Sequence, residues 1–146
     1  MKISSKGSAF IRQWEGLSLD VYKDVAGYPT IGYGHLIKKG ENFTKITKDQ
    51  AIDLFLKDLA PFEEAINTLV QKNLLQHEFD ALVSFVYNIG QGAFSKSTLL
   101  KYLNEGNFLL AYPEFLRWNK AGGKEVQGLT NRRKAEQTLF VKGIYS

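Results

Sequence analysis

The chain has no cysteine in its 146 residues. Neither a disulfide framework nor a thiolate metal site can form. Histidine is nearly absent too: only His35 and His77 occur, and no His-x-x-x-His pair. Two imidazoles are too few for a zinc cage without carboxylates, so no metal is expected. No apolar run reaches the length of a membrane span, and the start, Met1-Lys-Ile-Ser-Ser-Lys-Gly, lacks the apolar core of a signal peptide. A soluble chain with no export signal of its own is the expectation. Internal repeats and low-complexity stretches are also missing. Gly32-Tyr33-Gly34 is followed by Ile37 where a dinucleotide fingerprint needs glycine, and no cofactor is expected.

What is present fits one compact domain, or two small lobes sharing a core. Net charge is +4 and the pI about 9.2. Residues 120–146 hold Lys120, Lys124, Arg132, Arg133, Lys134 and Lys142 against Glu125 and Glu136, a surplus equal to the whole net charge. A basic patch attracts polyanions, nucleic acid or an anionic envelope among them, although a charge run is usually a solvated face.

The stretch from Glu15 to Leu36 organises the rest. Ser8 to Glu15 reads as helix, and Gly16 is the residue type that commonly follows a helix end. Glu15 is therefore expected in the last turn, facing the negative end of the helix dipole. That is a poor place for an ionised acid and a suitable one for a group that holds a proton. Asp24 follows in a segment of extended character (Leu19, Val21, Tyr22). Ala26-Gly27-Tyr28-Pro29 reads as a turn, and Thr30 lies on a second extended run broken by Gly32 and Gly34.

In chain order, Ser4 and Ser5 can cap a first helix carrying Phe10, Ile11 and Trp14. A hairpin region covers about residues 17–37, and a polar turn follows at 38–42. Thr47-Lys-Asp-Gln50 has the form of a capping box, so a helix starts near Lys48. Ile52, Phe55, Leu59, Phe62, Ile66 and Leu69 continue it at steps of three and four. Pro61 is expected to kink or break it. Leu75 to Ile89 is apolar on most sides and predicts a buried helix, with Tyr87 and Asn88 read at its middle. Shorter helices are expected over 97–103 and 107–118, a glycine-rich loop over 119–128, and a last helix from Thr130 or Asn131 to Val141. The expected class is α+β, mostly helical, with lobe 1 at about 13–60 and lobe 2 at about 61–146 plus the first helix.

Glu15, eight residues, Asp24, five residues, Thr30, then Ile31-Gly32-Tyr33-Gly34-His35 resembles the catalytic signature of phage-type lysozymes (glycoside hydrolase family 24). Phe85-Val-Tyr-Asn88-Ile-Gly90, Ser97-Thr98-Leu99-Leu100, Phe115-x-Arg117-Trp118, Ala121-Gly122-Gly123-Lys124 and Arg132-Arg133 extend the resemblance over nearly the whole chain. The resemblance implies a lysozyme-like fold with a cleft between a hairpin lobe and a helical lobe. It implies an endolysin-type muramidase that cuts the β-1,4 bond between N-acetylmuramic acid and N-acetylglucosamine in peptidoglycan, with inversion. The catalytic carboxyls of an inverting enzyme lie roughly 6.5–9.5 Å apart.

In that reading Glu15 is the acid, Asp24 the base on a water, and Thr30 a second holder of that water. By resemblance Tyr87 stacks on a sugar ring and Asn88 binds an acetamido group. Both have an alternative as core residues. Leu36 and Ser97 match further cleft positions. Arg132 or Arg133 supports Glu15, and at least one of the two reads as a surface charge. His35 reads as structural, paired with a carboxylate such as Asp58, and His77 as solvated. The partners implied are glycan strands and the anionic bacterial envelope, met by the basic C-terminal region, with no nucleic acid and a monomeric enzyme. Such a chain is made in the host cytoplasm and reaches the wall after release. Two other functions compete. A lytic transglycosylase uses the same acid but no water-activating aspartate. A non-catalytic module, binding cell wall or DNA, has no use for the triplet.

Overall fold

The computed structural model describes residues 1–146. The fold is α+β and mostly helical. Its elements are α1 (Ser5–Arg12), β1 (Ser18–Lys23), β2 (Pro29–Gly32), β3 (His35–Leu36), α2 (Lys48–Leu69), α3 (Gln76–Ile89), α4 (Gln91–Ser95), α5 (Thr98–Asn104), α6 (Phe108–Glu114), a 3₁₀ turn (Phe115–Arg117), β4 (Lys120–Ala121), β5 (Lys124–Glu125) and α7 (Gln127–Lys142). They form two compact units. One is Ile11–Ala60; the other is Met1–Phe10 with Pro61–Ser146.

In the Ile11–Ala60 unit, β1, β2 and β3 form an antiparallel sheet in that order. Ile11, Ile31, Tyr33, Ile46, Ala51, Phe55 and Leu59 are buried. The Tyr33 ring lies 5.7 Å from that of Phe55, and the Arg12 guanidinium sits 5.6 Å from the Tyr33 ring centre. The capping box forms at the start of α2: Gln50 N donates to Thr47 Oγ1 (3.1 Å), and Thr47 N donates to Gln50 Oε1 (2.8 Å). The expected break at Pro61 does not occur, since α2 runs through it. Pro61 and Lys57 are exposed, so the carbonyl that loses its donor lies on the solvent side, while Phe55, Leu59 and Ile66 of the apolar stripe are buried.

In the other unit, α3 is buried from Phe79 through Val86. Phe85 meets Phe94, Phe115 and Trp118 edge-on, and Phe115 continues the cluster to Phe140 on α7. Asp80, fully buried, is satisfied by local and distant donors. It accepts from Ser4 Oγ, from Gln76 Nε2 (2.8 Å) and from Tyr145 Oη (2.7 Å). Burial and that bond push the Tyr145 hydroxyl up to about 12. Ser4 also caps α1, accepting from Gly7 N at 2.9 Å.

Three boundaries differ from expectation. The stretch 119–128 is not a plain loop but contains the β4–β5 hairpin. The last helix begins at Gln127, because a helix's first turn needs no intrahelical donors and admits Gly128. A one-turn helix, α4, fills the stretch between α3 and the helix expected over 97–103.

Candidate active site

The hairpin supplies two of the three candidate catalytic groups. Residues of β1 pair with β2 in the register Tyr22↔Thr30 and Lys23↔Pro29. Asp24 then closes the turn. Its N–H donates to the Tyr28 carbonyl (2.9 Å), and its carbonyl accepts from Gly27 N (2.9 Å). Its Oδ1 accepts from Ala26 N (3.0 Å) and Tyr28 N (2.8 Å). This is an Asx-type turn, in which a short carboxylate satisfies backbone donors further along the chain. Thr30 is buried, and its Oγ1 donates to the Tyr28 carbonyl at 2.9 Å. Leu36, half exposed, sits directly across from Thr30 on β3.

Glu15 is not in the last turn of a helix. The α1 helix stops at Arg12, and Trp14 N and Glu15 N then donate three residues back, to the carbonyls of Ile11 and Arg12. Gly16 does not have the positive φ expected of a helix-ending glycine. The dipole effect falls off within the last turn, so that argument does not carry over. Glu15 instead occupies a tight, half-buried bend between α1 and β1, in the same unit as Asp24 and Thr30.

His35 is buried beside two carboxylates. Nδ1 lies 2.8 Å from Asp58 Oδ2, as expected, and Nε2 lies 3.1 Å from Glu41 Oε1, which sequence reasoning missed. Burial pulls the imidazole down. The hydrogen bonds and charges of Asp58 and Glu41 together outweigh it, and the net shift is upward. Glu41 is held below the usual carboxylate range, first by the Lys38 N–H and then by His35.

Arg132 and Arg133 are both buried, against the expectation that one is a surface charge. They share Glu136, which is fully buried. Arg132 Nε lies 3.3 Å from Oε2, Arg133 Nη2 3.1 Å from Oε2, and Ser84 Oγ donates to Oε2 at 2.5 Å. Arg133 Nε approaches Oε1 to 2.6 Å, in ion-pair contact but off the hydrogen-bond direction. Burial pushes the Glu136 carboxyl up, while the charges of Arg133 and Arg132 pull it down. Arg132 also donates to the Ser84 carbonyl at 3.1 Å.

Tyr87 and Asn88 lie in the last turn of α3, not at its middle. Tyr87 packs edge-on to Phe62 at 5.1 Å. Asn88 is exposed, so it is no buried amide, and it lines an open pocket of about 540 Å³ with Arg117, Trp118 and Lys120. Ser97 is the N-cap of α5, accepting from Leu100 N and donating to the Phe94 carbonyl. His77 is not solvated: it is half-buried and bonds the Leu139 carbonyl at 2.9 Å. No group of three or more His, Asp or Glu side chains is placed to hold a metal ion, and no helix is long and apolar enough to cross a membrane.

The structure is a helix-rich α+β fold whose hairpin carries Asp24 and Thr30 downstream of Glu15. The family model described as phage lysozyme matches residues 12–136. The chain belongs to that family. It is 48% identical over 145 residues to an endolysin of Bacillus phage PZA, covering 98% of this chain and 56% of that protein. It is 41% identical to an endolysin of Salmonella phage P22, covering 97% of this chain and 99% of that one. The crystal structure of a P22 lysozyme mutant superposes with a TM-score of 0.90 at 39% identity, over 97% of this chain and 99% of the other. The chain thus spans little more than half the length of the Bacillus phage relatives it matches.

Proposed function

We propose that the chain is an endolysin-type muramidase. It hydrolyses the β-1,4 bond between N-acetylmuramic acid and N-acetylglucosamine, with inversion, and so lyses bacterial cell walls. One observation carries the reading: a single hairpin turn presents a carboxylate and a hydroxyl whose remaining lone pairs can take the two protons of a water. A transglycosylase needs no such pair.

In this mechanism Glu15 gives its proton to the leaving glycosidic oxygen as that bond breaks. Water attacks the anomeric carbon from the opposite face, and Asp24 takes the proton it loses. Leu36, Tyr87, Asn88 and Ser97 are assigned to substrate contacts, and His35 and Arg132 to support. The enzyme works as a monomer without a cofactor. Its basic C-terminal region meets the anionic envelope, and nucleic acid is not a partner. It is made in the host cytoplasm and acts on the wall after release.

The test is the clearing of a suspension of purified peptidoglycan, with assay of the new ends. Reducing ends support hydrolysis, and anhydro-muramoyl ends mean a transglycosylase. Glu15→Gln, nearly isosteric but without a transferable proton, is expected to lose lysis at an unchanged melting temperature. Substantial residual lysis by a folded variant means that another residue is the acid.

A further inference from the structure

We propose that the backbone of Tyr28, its N–H and its C=O, held by the turn at Gly27, is the positioning element that decides which atoms of Asp24 and Thr30 meet the attacking water. The inference rests on the muramidase reading above and concerns atoms that reading leaves unassigned.

The hydrogen bonds have fixed directions. A backbone N–H only donates and a carbonyl only accepts. Asp24 Oδ1 already receives two N–H groups, from Ala26 (3.0 Å) and Tyr28 (2.8 Å). The other oxygen, Oδ2, has no partner in the chain and is the one left to take a proton. Thr30 Oγ1 faces the Tyr28 carbonyl at 2.9 Å, so its own proton is spent there. What Thr30 offers the water is therefore a lone pair. The water then donates one hydrogen to Asp24 Oδ2 and the other to Thr30 Oγ1, which leaves its own lone pair to form the bond to the anomeric carbon. Asp24 Oδ2 takes up the proton as the C–O bond forms, and the leaving oxygen takes the proton of Glu15.

One residue thus sets both acceptors: the Tyr28 N–H orients Asp24 and the Tyr28 C=O orients Thr30. Its own orientation depends on Gly27, whose φ is +86°. A Cβ built at Gly27 meets nothing within 4 Å, so packing plays no part; what holds the turn is the backbone angle and the Gly27 N–H bond to the Asp24 carbonyl, both of which proline removes and a D-residue keeps.

The experiment compares Gly27→Pro with Gly27→D-Ala, the second made by semisynthesis. Proline fixes φ near −65° and cannot keep the turn, whereas a D-residue favours positive φ. Misplacing reacting groups by about 1 Å costs on the order of 100-fold in rate. Gly27→Pro is expected to lower kcat by about that factor with KM unchanged, and Gly27→D-Ala to keep the wild-type kcat. Melting temperatures of both variants are measured in parallel. In the wild-type protein, NMR couplings across hydrogen bonds are expected from the Ala26 and Tyr28 amide nitrogens to the Asp24 carboxyl carbon, and from neither in Gly27→Pro. Wild-type kcat in Gly27→Pro, or missing couplings in the wild type, overturns the proposal. A wild-type protein that shows the couplings but releases no reducing ends overturns the muramidase reading and leaves the turn geometry standing.

Discussion

At the scale of single residues, the two acids of greatest interest sit in opposite environments. Asp24 lies on an exposed turn, satisfied on one oxygen by backbone N–H groups. Asp24→Asn keeps the shape but removes the proposed base, so most activity is expected to be lost. The first product is expected to be the α-anomer, read by NMR within the first turnovers. A sugar trapped on Asp24, seen by intact mass, would mean a retaining enzyme instead. Glu136 is the reverse case, fully buried between Arg132 and Arg133. Removing one partner of a buried ion pair leaves uncompensated charge, at about 3–5 kcal/mol. Glu136→Gln is therefore expected to lower unfolding free energy by that order in urea titrations, and an unchanged midpoint would show the cluster to be slack. The spacing of Arg133 and Glu136 along α7 is visible in the sequence. Their burial is not, because helix period says nothing about what packs over that face.

At the scale of elements, β3 is pinned to α2 through His35. Both ring nitrogens face carboxylates, and only the protonated ring donates to both. The folded pKa of His35 is raised, so its contribution is fully present below the unfolded value of about 6.5. It is lost as pH rises through the higher folded value. Glu41 runs the other way. Its pKa is lowered, so its share is present above about 4.5 and is lost as pH falls through the lower folded value. The stability gap between wild type and His35→Gln is expected to be widest between those two unfolded values and to shrink in alkali, measured by urea unfolding across pH. A gap independent of pH would remove the ionic account. Other elements differ in how local their sequence signal is. The α2 start was legible, because a capping box is a local signal. The β4 and β5 strands are two residues each, too short to show a period. Only the Gly122-Gly123 pair marks their turn.

At the scale of the whole molecule, the charge surplus of residues 120–146 divides in two. Arg132, Arg133 and Glu136 are buried together, which leaves Lys120, Lys124, Lys134 and Lys142 exposed against Glu125. In the proposed function those four lysines would carry the long-range attraction to an anionic envelope, screened over roughly 10 Å at 0.1 M salt. Replacing all four with Gln is expected to slow lysis of whole cells at low salt while leaving hydrolysis of short soluble fragments unchanged. Equal rates of cell lysis at every ionic strength would reduce the region to a solvated face.

What the sequence by itself determined is whatever is written in neighbouring residues. The hairpin with Asp24 and Thr30, the start of α2 and the buried face of α3 depend on turn chemistry, caps and period, all of them local. The Glu15-Asp24-Thr30 spacing carried the family for the same reason. Tertiary structure alone decided which charges are covered, that His35 has Glu41 as well as Asp58, and that Asp80 ties Ser4 to Tyr145. It also decided that Glu15 lies beyond its helix and not in its last turn. These outcomes depend on contacts between segments distant in the chain or on how tightly a turn closes, and the free energies that select them are not expressed in any short stretch of sequence.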